Sequence, residues 1–251
     1  MQFFYPESRF AGFTQIDGTI AFYSRVQALV RTDSVVVDFG CGRGAYAEDP
    51  VPFRRDLRIF KGRARHVIGL DANPEAAENP FLNAFYRLEG PRWPLDDSSA
   101  DVCICDNVLE HLPEPAAFFH EARRVLKPGG VVCIRTPNRW NYIALLSRMI
   151  PNSSHAGVLS KAKPGLQEKD VFPTLYRCNS LSAVRRALKT EGFEAVVYGY
   201  EAEPSYLSFS KIAYALGVLH QRIAPGVLKP AIFAFGRKIS TPDARGRNEQ
   251  S

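Results

Sequence analysis

The feature that most constrains the fold is a run of three valines followed by an acid and a glycine-rich turn. The run covers 35–44 and reads VVVDFGCGRG. Consecutive β-branched residues are typical of a strand that is buried on both faces, as in a parallel sheet. The glycines allow a sharp turn and let a ligand approach the backbone without a Cβ in the way. Asp38, two residues before the first glycine, favours a ligand that carries a positive group.

This glycine turn by itself permits two interpretations. Gly40, Gly42 and Ala45 also fit the looser Gly-x-Gly-x-x-Ala form of a dinucleotide fingerprint. The next strand-like run, 66–70, ends in Asp71, and an acid at that tip can accept hydrogen bonds from both hydroxyls of a ribose. In a dinucleotide fold this acid usually lies about 20 residues beyond the glycines. The gap is longer here, which favours a different adenosyl ligand.

Strand-like and helix-like segments alternate along almost the whole chain. Strands are predicted at about 34–39, 66–70, 84–88, 101–105, 130–136, 194–198 and 231–235, and helices at 17–30, 74–79, 115–126 and 179–191. A turn at 126–130 is predicted between the helix at 115–126 and the fifth strand. This alternation predicts a doubly wound α/β sheet.

Four motifs together resemble the class I S-adenosylmethionine-dependent methyltransferases, particularly their small-molecule type. The motifs are VVVDFGCGRG, VIGLDAN, WPLDDSSADVCICDNVLEHL and RVLKPGG, and they cover about residues 34–136 in the expected order. S-adenosylmethionine carries an ammonium group that would suit Asp38. The resemblance implies an α/β fold with a doubly wound, mostly parallel seven-stranded sheet in the order 3-2-1-4-5-7-6, with helices on both faces.

The resemblance also implies which residues bind S-adenosylmethionine as the cofactor. Asp38 and Gly40 would face its methionine end, and Asp71 would hold its ribose hydroxyls. Glu89 stands where the family often has an aspartate near the adenine. The full expected set is Asp38, Gly40, Cys41, Gly42, Gly44, Asp71, Ala72, Glu89, Gly90, Asp106 and Asn107.

The acceptor side is less constrained by the sequence. Methyl transfer is an in-line displacement, and an alcohol acceptor usually needs a base, for which His is best suited near neutral pH. His111 follows the fourth strand closely and is the candidate base, although it could instead shape its loop. Weaker candidate bases are His155, Asp170 and Tyr176, and a carboxylate acceptor would need none. The expected acceptor-binding residues are Trp140, Tyr142, His155 and Tyr176.

The chain is expected to form a single methyltransferase domain over 1–239. Its core would comprise 18–136 and 178–239, with an insertion at 137–177 that leaves the fifth strand beside the ligand crevice. That insertion is interpreted as an acceptor-binding lid, with a purely structural cap as the alternative. The polar segment 240–251 is expected to be a disordered tail.

A helical segment at 207–223 places apolar residues on one face. These are Phe209, Ile212, Ala213, Leu216, Leu219 and Ile223. Packing in the core between the last two strands is the favoured interpretation. The alternative is a dimer helix or a peripheral membrane contact, because Lys211, Arg222 and Lys229 would suit anionic lipid.

The amino-acid composition indicates which kinds of partner and which cellular compartment are expected. The net charge is +6, with basic residues concentrated at 54–65 and 177–189, but solvated helix faces are favoured over nucleic-acid binding. Five cysteines lie mostly in apolar strands, which favours reduced thiols and a cytoplasmic location. No metal site is expected, because the cysteines and histidines lack ligand spacing. Neither a secretory signal nor a membrane span is expected from the sequence.

The sequence therefore predicts a methyltransferase that methylates, most readily at oxygen, a small molecule or a sugar- or lipid-linked intermediate. Three other functions stay open: an RNA or protein methyltransferase, an NAD-dependent oxidoreductase, and a partner protein that binds the cofactor without catalysis. The acceptor and the oligomeric state are not determined by these patterns.

Overall fold

The computed structural model describes residues 2–141 and 173–239, and seven strands lie in this part of the chain. They are β1 (Val35–Phe39), β2 (His66–Asp71), β3 (Ala84–Arg87), β4 (Ala100–Asp106), β5 (Leu126–Pro137), β6 (Phe193–Tyr200) and β7 (Ala231–Lys238). One sheet contains all seven in the order β3-β2-β1-β4-β5-β7-β6. β7 pairs antiparallel with both β5 and β6, and the other pairings are parallel. The predicted fold class and strand order are confirmed.

The strand directions bring several chain segments to one edge of the sheet. The carboxyl ends of β1 to β5 meet there because these strands are parallel. Ala231, the first residue of β7, pairs with Pro137 at the end of β5 and with Tyr200 at the end of β6. We call this the carboxyl edge. Ligands of open α/β sheets bind at such an edge.

Five α-helices accompany these strands in the described residues. They are α1 (Gly18–Leu29), α2 (Pro52–Asp56), α3 (Pro115–Val125), α4 (Leu181–Thr190) and α5 (Lys211–Ile223). Asp17 caps α1, because its carboxylate accepts hydrogen bonds from the amides of Thr19 and Ile20. Ser180 caps α4 through the amide of Ala183. The short helix predicted near 74–79 is a 3₁₀ helix, Pro74–Glu78.

The core lies on both faces of the sheet, as the valine run of β1 predicts. Val37 belongs to a cluster that joins the sheet to α3 and α4. Val36 belongs to a second cluster that joins the sheet to α1 and residues 57–64. Successive side chains of a strand point to opposite faces, so β1 is covered from both sides.

The predicted turn at 126–130 has a different structure. Leu126 pairs with Ala100 and Val131 pairs with Val102, so the intervening residues form an irregularity inside β5. Pro128 cannot donate a backbone hydrogen bond, and Gly129 has a positive φ of 81°. Pro and Gly therefore produce a bulged strand start here.

The prediction that 207–223 packs in the core between the last two strands is wrong. Phe209, Ile212, Leu216, Leu219 and Ile223 are exposed, and we call them the α5 apolar face. The opposite side of α5 is buried instead, where Tyr214 and Val218 pack against Tyr5 of the amino-terminal segment. The helix is apolar on two sides, and its sequence pattern did not indicate which side would be covered.

Several other predictions fall outside the described residues: Tyr142, His155, Asp170, the part of the insertion at 142–172, and the tail at 240–251. Among the residues that are described, no helix is long and apolar enough to cross a membrane.

Candidate functional site

The glycine turn follows β1 and starts the site at the carboxyl edge. The amide of Gly40 donates to the carbonyl of Leu70 at 2.7 Å, which draws the turn against β2. Gly40 and Gly42 have φ values of 72° and 53°. A Cβ on Gly40 would overlap the side chain of Val108, whereas one on Gly42 would meet nothing within 4 Å. Gly40 is thus required by packing, and Gly42 leaves open space for a ligand.

A buried amide, Asn79, holds the glycine turn from the outside. Its Nδ2 donates to the carbonyls of Cys41 and Gly42 at 3.2 and 3.0 Å. Its Oδ1 accepts from the amide of Phe81 at 3.0 Å. No sequence motif indicated this residue, because an asparagine after a short helix is common in loops.

Asp71 connects the end of β2 to the glycine turn. Its Oδ2 accepts from the amide of Gly42 at 2.9 Å and its Oδ1 from the amide of Asn73 at 2.8 Å. The amide of Leu88 donates to the Asp71 carbonyl at 2.8 Å, which places the chain after β3 beside it. A carboxylate has about four acceptor positions, so each oxygen can accept another hydrogen bond.

The other residues expected around the adenosine lie close to Asp71 in the fold. Ala72 is exposed, and its carbonyl accepts from Nε of Arg87 at 3.3 Å. Glu89 and Gly90 are exposed in the segment that follows Leu88. These positions are accessible to a ligand that lies over the ends of β2 and β3.

Asp38 is an acid held in an unfavourable environment. Burial raises its pKa to about 7, and the charge of Asp106 adds to the effect while Arg58 opposes it. Within the described chain, no donor forms a hydrogen bond with its carboxylate. A positive group brought next to Asp38 would therefore be strongly favoured.

Asp106, at the end of β4, is by contrast fully paired. Arg135 contacts it through two hydrogen bonds of 2.5 and 2.6 Å, and the hydroxyl of Tyr23 donates to it at 2.8 Å. Asn107 donates to it through Nδ2 at 2.9 Å and has a positive φ of 54°. Burial alone would raise the pKa of Asp106, but Arg135 outweighs it and the pKa is lowered. Asp106 thus orients its neighbours, and Asn107 is the exposed member of the predicted pair.

Arg58 is a site residue that the sequence did not indicate. Its guanidinium lies 4.7 Å from the ring centre of Tyr46 and 5.5 Å from that of Tyr23. Its Nη2 is 3.8 Å from Oδ2 of Asp106. Its Nε is buried without a hydrogen-bond partner among the described residues. Arg58 is therefore a cation with unused donor capacity beside Asp38 and Asp106.

The rest of the basic stretch at 54–65 is partly engaged in contacts with other segments of the protein. Arg54 pairs with Asp49 at 2.6 Å and with Asp17 at 2.8 Å. Lys61 donates to the carbonyl of Pro80 at 2.8 Å. Arg54 is therefore held by acids of neighbouring loops, whereas the exposed Lys61, Arg63 and Arg65 agree with the predicted solvated surface. These contacts leave less of its charge for a polyanion.

His111 ends a short 3₁₀ helix, Leu109–His111, just after β4. Its Nδ1 is 3.0 Å from the carbonyl oxygen of Pro173, which can only accept, so Nδ1 carries the proton in that contact. Its Nε2 is 3.8 Å from Oε1 of Glu110. Burial raises the pKa of Glu110, while Thr136 and His111 oppose the rise. This pair lies at the same edge as the glycine turn.

Both described ends of the insertion are anchored at the carboxyl edge. Asn138 is buried and donates to the carbonyls of Val227 and Lys229 at 2.8 and 2.9 Å. The amide of Tyr176 donates to the carbonyl of Glu110 at 3.1 Å. Trp140 is 51% exposed, with the guanidinium of its neighbour 5.2 Å from its ring centre. Trp140 and Tyr176 thus lie on segments that adjoin the ends of β4 and β5.

All five cysteines are free and buried. Burial raises the pKa of the Cys41 thiol, and the charge of Asp38 adds to the rise. In the part of the chain that the structure describes, no group of three or more His, Cys, Asp and Glu side chains could hold a metal ion.

Residues 37–134 match the family described as a methyltransferase domain. This match covers less than half of the chain, from the middle of β1 to within β5. A relative from Mycolicibacterium smegmatis, described as a probable S-adenosylmethionine-dependent methyltransferase, is 37% identical over 114 residues. That match covers 41% of this chain and 38% of the relative, so the chain spans well under half of that protein's length.

Two further likenesses extend beyond residues 37–134. The ubiquinone biosynthesis O-methyltransferase of Histophilus somni is 28% identical over 165 residues, which are 60% of this chain and 68% of that protein. The crystal structure of an S-adenosylmethionine-dependent methyltransferase from Archaeoglobus fulgidus superposes with a TM-score of 0.52 at 17% identity. It covers 94% of this chain and 99% of that one, and it supports the shared fold.

Proposed function

We propose that the protein transfers the methyl group of S-adenosylmethionine to an oxygen atom of an organic acceptor. The observation that supports this best is the juxtaposition of Asp38 with the glycine turn that Asp71 holds. A half-buried acid that no described donor contacts favours an ammonium group, and an acid at the end of β2 favours ribose hydroxyls. S-adenosylmethionine carries both groups, an ammonium on its methionine part and a ribose beyond its sulfur.

The described residues fit this cofactor along the carboxyl edge. Asp71 would accept hydrogen bonds from the ribose, and Asp38 would pair with the ammonium. Arg58, with an unpaired buried Nε, would pair with the carboxylate of the methionine end. The cofactor supplies the activated methyl group, and the protein supplies orientation and charge pairing.

The acceptor would enter beside the ends of β4 and β5. Trp140 offers an exposed ring for an organic acceptor, and His111 offers an imidazole that could take a hydroxyl proton at Nε2. The proton that Nδ1 carries toward Pro173 would fix this tautomer. The name of the H. somni relative, an O-methyltransferase, supports oxygen as the methylated atom.

A direct test compares ligands and then turnover. Calorimetry should detect binding of S-adenosylmethionine and S-adenosylhomocysteine but not of NAD. Labelled S-adenosylmethionine should then transfer its methyl group to a component of a small-molecule metabolite extract. Binding of NAD alone would indicate an oxidoreductase, and cofactor binding without transfer would indicate a non-catalytic partner. Transfer to RNA that is lost with added salt would indicate a nucleic-acid substrate.

Replacing Asp71 with Ala should weaken the binding of both S-adenosylmethionine and S-adenosylhomocysteine. A charged hydrogen-bonding partner contributes about 1.5–3 kcal/mol, so the affinity should fall about 10- to 150-fold in calorimetry. Asp33→Ala, the same change at an exposed site, should leave the affinity unchanged. Unaltered binding in Asp71→Ala would contradict the ribose assignment.

Replacing Trp140 with Ala should impair turnover of the acceptor and leave the affinity for the cofactor nearly unchanged. Its side chain is half exposed at the proposed acceptor side, so we expect kcat/KM for the acceptor to fall at least about tenfold. Cofactor affinity should stay within about threefold, because those contacts are not altered. The exposed Tyr206, changed to Ala, is the control. Normal turnover in Trp140→Ala would remove this residue from the acceptor site.

A further inference from the structure

The α5 apolar face is an exposed row of large side chains. Phe209 is 77% exposed, Ile212 75% and Leu216 62%. At about 100° per residue, Ile212, Leu216, Leu219 and Ile223 fall in one stripe along the helix, and Phe209 lies just before its first turn. Thirteen residues give α5 a length of about 20 Å. Large continuous apolar patches on a protein surface mark interaction sites.

The described part of the chain holds α5 from its other side. Pro204 and Leu207 lie so close to Gly217 that a Cβ there would collide with both. Glu201 accepts a hydrogen bond from Nδ1 of His220 at 2.9 Å. These contacts fix the orientation of α5, and its apolar face is exposed to solvent.

The charged side chains that this segment itself contributes are all basic. From 204 to 239 the sequence contains no Asp or Glu. Lys211 and Arg222 are both exposed and fall on the same flank of the apolar stripe. Glu201 and Glu203, the nearest acids before this segment, are held by His220 and Thr14. An apolar stripe beside basic side chains matches an anionic lipid surface, with the cations at the headgroups.

We propose that the α5 apolar face docks the protein on an anionic membrane surface. A second copy of the chain fits less well, because a two-fold contact would bring Lys211 and Arg222 toward the same residues of the partner without acids from this segment to pair them. The helix connects Tyr200 to Ala231, both at the carboxyl edge. The segment that carries α5 thus leaves and rejoins the sheet at the end where the proposed acceptor enters.

The test is co-sedimentation of the whole protein with vesicles. Vesicles of phosphatidylcholine that contain phosphatidylglycerol should sediment the protein, and vesicles of phosphatidylcholine alone should do so weakly. The double variant Ile212→Glu/Leu216→Glu should lower partitioning by more than about tenfold, because each residue no longer buries its apolar side chain. Lys211→Glu/Arg222→Glu should weaken binding to the anionic vesicles only. Val196→Glu, an exposed valine on β6, should bind as the wild type does.

Three results would overturn the proposal. The first is a wild type that sediments with neither kind of vesicle. The second is a wild-type dimer, by light scattering, that Ile212→Glu/Leu216→Glu dissociates, because the face would then contact a second copy. The third is a melting temperature that this variant lowers without vesicles, because the face would then be covered by the chain itself. Vesicle binding needs no cofactor, so its failure is separate from failure of the proposed methyl transfer.

Discussion

The affinity for S-adenosylmethionine is expected to fall about tenfold between pH 8 and pH 6. Burial raises the pKa of Asp38 to about 7, so its carboxylate is mostly ionised at pH 8 and mostly protonated at pH 6. Only the ionised form attracts the ammonium of the cofactor. Calorimetry across this range would measure the change. S-adenosylhomocysteine should show the same trend, since it has the ammonium but not the sulfonium.

Asp38→Asn is the variant that tests this origin. It should remove the pH dependence and weaken binding at pH 8 by about 10- to 150-fold, because a charged hydrogen bond is lost. Cofactor binding that keeps its full pH dependence in Asp38→Asn would show that another group titrates.

The same group should also set the stability of the protein without cofactor. The folded-state pKa of Asp38, about 7, lies above the ordinary value of about 4, so the folded protein binds more protons between these values. The free energy of unfolding should therefore decrease as the pH rises from about 4 to 7, by no more than about 4 kcal/mol. Asp38→Asn should melt at a higher temperature than the wild type at pH 8.

Gly40→Val should abolish cofactor binding and also destabilise the fold. The backbone at Gly40 is left-handed, and its Cβ would overlap Val108, which precedes the buried Leu109. Left-handed strain of about 1–2 kcal/mol and overpacking of about 1–3 kcal/mol together predict a loss of about 2–5 kcal/mol in the free energy of unfolding. Thermal melting and calorimetry would measure the two effects.

Two other glycines separate strain from ligand contact. Gly42→Ala and Gly62→Ala each place a Cβ at a positive φ with no atom within 4 Å. Both should cost only about 1–2 kcal/mol of stability. Only Gly42→Ala should weaken binding of the cofactor, since Gly62 lies outside the site. A Gly40→Val protein that melts and binds as the wild type does would contradict the geometry of the turn.

The sequence by itself determined the sheet and the position of the glycine turn. Three consecutive valines in a strand are buried only if both faces of the sheet are covered by other elements. Val36 and Val37 indeed belong to different core clusters. Asp71 could be placed at the end of its strand from the sequence, because the apolar run at 66–70 indicates where that strand ends. The sequence explained Gly40 by the turn and by a nearby ligand, and this explanation was incomplete. A Cβ at Gly40 would collide with Val108, a residue that is distant in sequence.

Only the tertiary structure decided how separate segments meet. Arg58 and Asn79 lie in segments without a motif, and they reach the site through contacts with distant residues. Arg54 stands in a basic run, yet it is paired with Asp17, an acid 37 positions away in the chain. For α5, helical periodicity revealed an apolar stripe but not whether other elements would cover it. Burial depends on what packs against a face, and that information is not contained in the local pattern.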